Sequence, residues 1–200
     1  GNEAFTSVLP DYNIRSIQIL GDFLWLGTDA GVIEFDITNS KTKQHTSLPE
    51  TKLLREQHVS NLVSNGSDLW FSNWSVSPDG AIVRFDRLMN IWKCYTKEDI
   101  LSSYSTTRYP ITRVRWSSVD AMSSPTPEAG LWGRDARAPM TDSIWFATDY
   151  GVLRYDGHSD IWYHYTTSDG LASNDVQKIV VGDDDVWAIA TSGTRISRYV

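Results

Sequence analysis

The sequence predicts an all-β fold, a β-propeller of four repeat blades with four antiparallel strands each. Three observations predict it. One pattern of strands and turns occurs four times in the 200 residues. A tryptophan marks the second strand of every copy, at Trp25, Trp70, Trp145 and Trp187. A glycine-bearing turn follows each of those strands, and repeats of this length and content are the signature of a ring of blades.

The tryptophans stand 45, 75 and 42 residues apart. Setting aside an insertion within the third copy, 117–141, brings the middle spacing to about 50, inside the propeller range. Each copy opens on an aliphatic-rich inner strand: IRSIQIL (14–20), HVSNLVS (58–64), ITRVRW (111–116) and DVQKIVV (175–181). The tryptophan strands follow as FLWLGT (23–28), LWFSN (69–73), SIWFAT (143–148) and VWAIAT (186–191). The next turns carry Gly31, Gly80, Gly151 and Gly193, and glycine supplies the positive φ that tight hairpins demand. The third strands, VIEFD, AIVRFD, VLRYD and ISRYV, alternate apolar and polar residues as half-buried strands do. Three of them end on an aromatic and an aspartate, and Asp36, Asp86 and Asp156 are expected to cap the turns that follow. Outer strands are expected in KQHTSL (43–48), IWKCYTK (91–97) and IWYHYTT (161–167).

The fourth copy reaches Val200 without an outer strand. The segment Ala4–Val8 is expected to supply it as an N-terminal strand closing the last blade. A ring of blades leaves two unpaired sheet edges where it closes, and one donated strand pairs them. On this reading residues 1–200 form a single domain. The alternative is a partial segment of a larger propeller.

Composition narrows the partners. The net charge is -7, from 18 basic and 25 acidic residues, and the basic ones are scattered. Nucleic-acid surfaces need clustered positive charge, so no nucleic-acid partner is expected. No apolar run approaches the ~20 residues of a membrane-spanning helix, and no basic-plus-apolar start reads as a signal peptide. Cys94 is the single cysteine, which excludes an internal disulfide and suits a buried strand position. His45, His58, His158 and His164 lie without metal-ligand spacing. Asp183, Asp184 and Asp185 read as a solvated turn, because consecutive carboxylates in a hairpin rarely converge on one ion. No metal or cofactor is expected. Nucleophile-elbow, phosphate-loop and zinc-helix motifs are all missing, and no residue is assigned a catalytic role.

Copy one reads Asn13-Ile14-Arg15-Ser16-Ile17, then Leu24-Trp25-Leu26-Gly27-Thr28, then Asp29-Ala30-Gly31-Val32. Copy four adds the linker Asp169-Gly170-Leu171-Ala172-Ser173-Asn174. Together these motifs resemble the two-component regulator propeller repeat, over nearly the whole chain outside the insertion. The resemblance implies propeller blades in an extracytoplasmic setting, periplasmic or secreted, and a sensor that binds a ligand. Its motifs are structural, so they specify the fold more closely than the function. The chain departs from the common member in its four copies, in its insertion and in carrying no kinase or receiver segment.

Functional candidates cluster at the ring's axis and loops. The inner strands carry Arg15, Arg113, Arg115 and Lys178, flanked by His58, Asn61, Thr112 and Gln177. Such a basic ring suits an anion: phosphate, carboxylate or a sugar acid. The loops 73–78 and 98–109 are expected to bring Trp74, Tyr104, Arg108 and Tyr109 to one mouth of the channel, where aromatic faces suit a carbohydrate or peptide. The ligand site is thus expected from His58, Trp74, Tyr104, Arg108, Tyr109, Arg113 and Lys178. In the insertion, Trp132, Arg134 and Arg137 are candidate contacts to a protein partner. Three functions remain open. The first is a non-catalytic module that recognises a small ligand, glycan or protein. The second is a lyase or hydrolase of a polysaccharide or lactone, with His58 and Arg113 as acid-base and anion-stabilising groups. The third is a structural segment completed by oligomerisation.

Overall fold

A computed structural model describes residues 12–45, 59–65, 68–73, 82–95, 99–100, 116–121, 143–182 and 185–200. Four antiparallel meander sheets account for them, and the fold is the β-propeller that the repeats predict. The first blade holds β1 (Ile14–Leu20), β2 (Phe23–Thr28), β3 (Gly31–Asp36) and β4 (Lys41–His45). The second holds β5 (Val59–Ser64), β6 (Asp68–Asn73), β7 (Ile82–Asp86) and β8 (Ile91–Tyr95). The third holds β9 (Trp116–Ala121), β10 (Ser143–Thr148), β11 (Gly151–Asp156) and β12 (Ile161–Tyr165). The fourth holds β13 (Val176–Val181), β14 (Val186–Ala190) and β15 (Ile196–Tyr199), three strands among the described residues. The expected closing strand Ala4–Val8 lies outside the described residues.

One inner strand differs from the sequence expectation. The described strand paired with β10 in the third blade is Trp116–Ala121, so the first residues of the expected insertion belong to the sheet; residues 111–115 lie outside the described residues. The backbone register on β10 runs from Thr148 opposite Trp116 to Ile144 opposite Ala121. Residues 122–142, between β9 and β10, lie outside the described residues.

The turns recur because their residues do. Thr28 Oγ1 donates to the Gly31 carbonyl and accepts from the Ala30 amide. Thr148 does the same with Gly151 and Tyr150. The two glycines hold φ of 104° and 113°, which a β-carbon would resist. The expected aspartate caps are present. Asp36 accepts the Thr38 and Asn39 amides, Asp86 the Met89 amide, and Asp156 the His158 and Ser159 amides.

The core lies between the sheets. Strand pleating sends successive side chains to opposite faces, so every sheet has one face toward the preceding blade and one toward the next. Trp25, Val32 and His45 point from the first blade to the second and meet Leu69, Phe71, Val83, Phe85 and Trp92. Trp70, Ile82 and Tyr95 meet Ile144, Phe146, Tyr155 and Trp162. Trp145, Val152 and Tyr165 meet Ile179, Val186, Ala188 and Tyr199. The first and second sheets approach closely at Gly27, where an added β-carbon would stand 2.7 Å from the Val59 carbonyl oxygen and would also strike Ser16 Oγ.

The first strands β1, β5, β9 and β13 adjoin one another in chain order and lie innermost. Among the described residues, β1 and β13 do not pack against each other as those consecutive pairs do. Each end face carries some exposed apolar side chains, while Leu26, Ile33 and Phe35 on the outward face of the first blade are buried. Ile17 and Ile19 are 60% and 63% accessible at one end, and Val180, Trp187 and Ile196 are exposed at the other.

Candidate functional site

Of the expected ligand residues, Lys178 is the one described; it is exposed on the innermost strand of the fourth blade, next to exposed Gln177. His58, Trp74, Tyr104, Arg108, Tyr109 and Arg113 lie outside the described residues, as do Trp132, Arg134 and Arg137 of the expected partner surface. Arg115 and Thr112 lie outside them too.

The basic ring is partly neutralised from within the blades. Arg15 donates through Nε to Asp29 Oδ1 at 2.7 Å and through Nη2 to Oδ2 at 3.1 Å, and Asn13 donates to the same carboxylate. The Asp29 hydrogen bond and charge raise the guanidinium pKa further. Arg15 is thus tied to the turn of its own blade. Asn61 is likewise held, by Ser60 Oγ at 3.1 Å and Ser72 Oγ at 3.2 Å.

A second charged group recurs on the third strand of three blades. The third strand carries Arg84, Arg154 or Arg198 opposite Trp70, Trp145 or Trp187. Each guanidinium lies over its indole, 5.7, 5.6 and 5.3 Å from the ring centre, an attraction of charge to the ring's negative face. Each also pairs with a carboxylate: Asp68 at 2.6 Å, Asp156 at 3.2 Å and Asp185 at 2.9 Å. The first blade has Glu34 at this position, opposite Trp25, and Glu34 bonds His45 Nε2 at 2.8 Å. The signal was the arginine two residues before the end of VRFD and LRYD, and in SRYV.

Between the second and third blades this ladder extends into a network. Arg84 donates to Tyr155 Oη at 3.3 Å, Tyr155 donates to Asp160 Oδ1 at 2.7 Å, and Lys93 reaches Asp160 at 3.3 Å. Burial raises the Tyr155 hydroxyl pKa, and bonds to Tyr95 and Asp160 raise it further. The Tyr155 hydrogen bond lowers that of Asp160, and Lys93 adds to it, against the opposing effect of burial. The network fixes a proton on Tyr155 and a charge on Asp160, which suits a clamp between sheets.

A cleft of about 70 Å³ opens between the third and fourth blades. Its walls include Trp145, Val152 and Tyr165 from one sheet, Ala188 and Tyr199 from the other, and Leu171 from the linker. That linker begins with a 3-10 turn at Thr167–Asp169, capped by Thr166, and Gly170 ends it in the left-handed region at φ 98°.

No protein-family model matches the chain, and no curated protein matches it. Solved structures do. The chain is similar to the extracellular domain of BT3049 from B. thetaiotaomicron, described as a hybrid two-component system, at 19% identity and TM-score 0.54 over 96% of this chain and 21% of that one. It is similar to the corresponding domain of BT4673 from the same organism at 14% identity and TM-score 0.53, over 92% of this chain and 22% of that one. The β-propeller domain of Cps50 (Swd1) from Myceliophteria thermophila matches at 12% identity and TM-score 0.52, over 88% of this chain and 48% of that one. The chain thus spans about a fifth of the length of the two bacterial structures. At these identities the likeness is one of fold.

Proposed function

We propose that this chain is a non-catalytic recognition module of the extracytoplasmic sensor type, which binds a small anionic or carbohydrate ligand, or a protein, at one mouth of the axial channel. The observation that carries the reading is the exposure of Lys178 and Gln177 on β13, an innermost strand, while Arg15 and Asn61 are engaged within their blades. Loops of successive blades converge at such a mouth, which is where propellers and other rigid scaffolds carry binding residues. Likeness to extracellular domains described as parts of hybrid two-component systems supports the same reading.

The test is calorimetric titration with phosphate, a sugar acid and neutral oligosaccharides, on the wild type and on Trp74→Ala, Tyr109→Ala, Arg113→Ala and Lys178→Ala. One member of the panel is expected to bind, and the variants to abolish binding without lowering the unfolding temperature. Unchanged binding in all four variants would remove the site.

A second reading, a structural segment completed by further blades, is favoured by a few apolar side chains exposed at the two end faces. Exposed Ile17 and Ile19 occupy the face that points away from the second blade, and exposed Trp187 the face that points away from the third. In the three interior interfaces the corresponding tryptophans are at most 2% accessible. Light scattering on a size-exclusion column tests this reading. A stable monomer counts against it; an assembly dissolved by Ile19→Lys counts for it.

A further inference from the structure

Two of the three interfaces between blades carry the same pair of residues beside the repeat tryptophan, and the first carries a different pair. The second and third blades have Arg84 or Arg154 opposite the tryptophan and end their outer strands on Tyr95 or Tyr165. The first blade has Glu34 and His45 at those two positions. His45 is stacked on Trp25 at 5.3 Å, and it lies 5.0 Å from Trp92 and 6.4 Å from Phe85 of the next blade. Its side chain is 6% accessible. Nε2 stands 2.8 Å from Glu34 Oε2. A carboxylate accepts and does not donate, so Nε2 carries the ring's hydrogen and a second proton must enter at Nδ1.

The closed interface resists that second proton. Two charged groups of its own blade act on His45: Glu34, which favours the imidazolium, and Lys43, which opposes it. From the second blade, β6, β7 and β8 present Leu69, Phe71, Val83, Phe85, Trp92 and Cys94, and none of these described side chains is charged. Burial outweighs the attraction of Glu34, so the neutral ring is favoured while the sheets are in contact. A ring turned out to water has no such penalty, so proton binding and closure oppose each other. Tyrosine, the residue type at the same place in the other two interfaces, does not change charge near neutral pH. Opening is easiest at the outer rim, because His45 and Trp92 sit on the outer strands β4 and β8. The inner strands approach closely at Gly27 and Val59 and form the hinge side.

We propose that His45 is the trigger of an acid-opened joint between the first and second blades. As pH falls from about 7 to 5, protonation of its ring parts β4 from Trp92 on β8, while the second interface stays closed. The joint is independent of the channel mouth and of any ligand there. Cys94, the single cysteine of the chain, lies on β8 and packs against the same buried cluster. Its thiol therefore reports the opening directly.

The test labels Cys94 of the full chain with dithiodipyridine, a disulfide reagent that reacts in acid as well as at neutral pH. Each rate is divided by that of the urea-unfolded chain at the same pH, which removes the thiol's own response. The corrected rate is expected to rise about ten-fold from pH 7 to 5, under a ceiling of about thirty-fold set by an ordinary histidine near ~6.5. His45→Tyr, which installs the residue type of the other two interfaces, is expected to abolish the rise, and His45→Gln is read where the first variant does not fold. His164 holds on β12 the place that Cys94 holds on β8, opposite Leu153 as Cys94 is opposite Val83. A chain with Cys94→Ser and His164→Cys thus reports the second interface, and its corrected rate is expected to stay level. A level rate at Cys94 would overturn the proposal. Slower labelling in acid would overturn it too, since Glu34 and the rings of Trp25 and Trp92 would then be holding the imidazolium. So would a rise that persists without His45, or an equal rise at the second interface, which would mean general loosening.

Discussion

The rings of Trp70 and Tyr155 lie 4.7 Å apart across the interface of the second and third blades. The same relationship joins Trp25 to Phe85 at 5.4 Å and Trp145 to Tyr199 at 5.0 Å. Each repeat tryptophan is also stacked on the last residue of its own outer strand: His45 at 5.3 Å, Tyr95 at 5.7 Å and Tyr165 at 5.7 Å. The indole nitrogens of Trp25, Trp70 and Trp145 have no hydrogen-bond partner. Their burial is therefore favoured by apolar area, ring contacts and, at Trp70 and Trp145, the arginine over the indole, against a desolvation cost.

Trp70→Ala is accordingly expected to cost about 3–5 kcal/mol, the range for deleting a fully buried aromatic. Trp187 is 36% accessible, and its alanine variant is expected to cost about 1–2 kcal/mol, since less area returns to water. Urea unfolding of the two variants checks the order, and equal costs would contradict it.

The Arg84–Asp68 pair is the most enclosed member of the arginine ladder, with Asp68 4% accessible. Arg84→Met leaves that carboxylate without its guanidinium and is expected to cost about 3 kcal/mol. Adding Asp68→Leu is expected to recover most of the loss, because an apolar pair of similar volume needs no compensating charge. Additive costs in the double variant would show that the two residues do not act as a pair.

Among the described residues, His45 and Asp160 each contribute to the response to pH. Burial lowers the pKa of His45, and the Glu34 hydrogen bond opposes the shift without reversing it. The unfolded chain, with its histidine near ~6.5, then binds the proton more tightly than the folded one. Stability from this site is complete above that value and declines as pH falls through it. His45→Phe keeps a stacking ring and is expected to flatten the urea midpoint between about pH 7 and 5; an unchanged slope would contradict the assignment. Asp160 is held below the ordinary carboxylate range, first by the Tyr155 hydroxyl. Its contribution is present above about pH 4 and lost as pH falls through the folded value, so Tyr155→Phe is expected to reduce the acid-side slope.

Gly27 tests how closely the inner strands pack. Its alanine variant would press a methyl group on the Val59 carbonyl, a backbone atom that cannot swing aside. A cost of about 1–3 kcal/mol is expected, as for overpacked cores. Gly193→Ala meets nothing within 4 Å, so its cost is limited to the positive φ there, about 1 kcal/mol. The comparison by thermal unfolding fails the account if Gly193 is the more sensitive.

The blades were legible in the sequence because each carries its own punctuation. Trp25, Gly31 and Asp36 fall at fixed places in the first copy and recur as Trp145, Gly151 and Asp156 in the third. Trp116–Ala121 was assigned in large part to the insertion because it carries two serines and an aspartate in place of an aliphatic run. Periodicity follows side chains, while the sheet follows backbone register. The arginine ladder was hidden for a related reason. Arg84 reads as the solvent side of a strand until the next blade brings Tyr155 against it. Arg15 was read as a channel cation because its partner, Asp29, sits on a turn that only the folded hairpin brings near. Candidate residues of the long loops could be named in the sequence, but alternation and turn chemistry carry no information on how such loops converge.

The most direct test of the recognition reading measures binding and chemical fate together. The chain is titrated with each phosphate, sugar acid, lactone and oligosaccharide of one panel, and the ligand is then recovered and weighed by mass spectrometry. Saturable binding of one member, lost in Arg113→Ala and Lys178→Ala, with the ligand recovered intact, is the predicted result. A recovered ligand that has been cleaved, opened or eliminated would contradict it and make the channel mouth the site of a lyase or hydrolase.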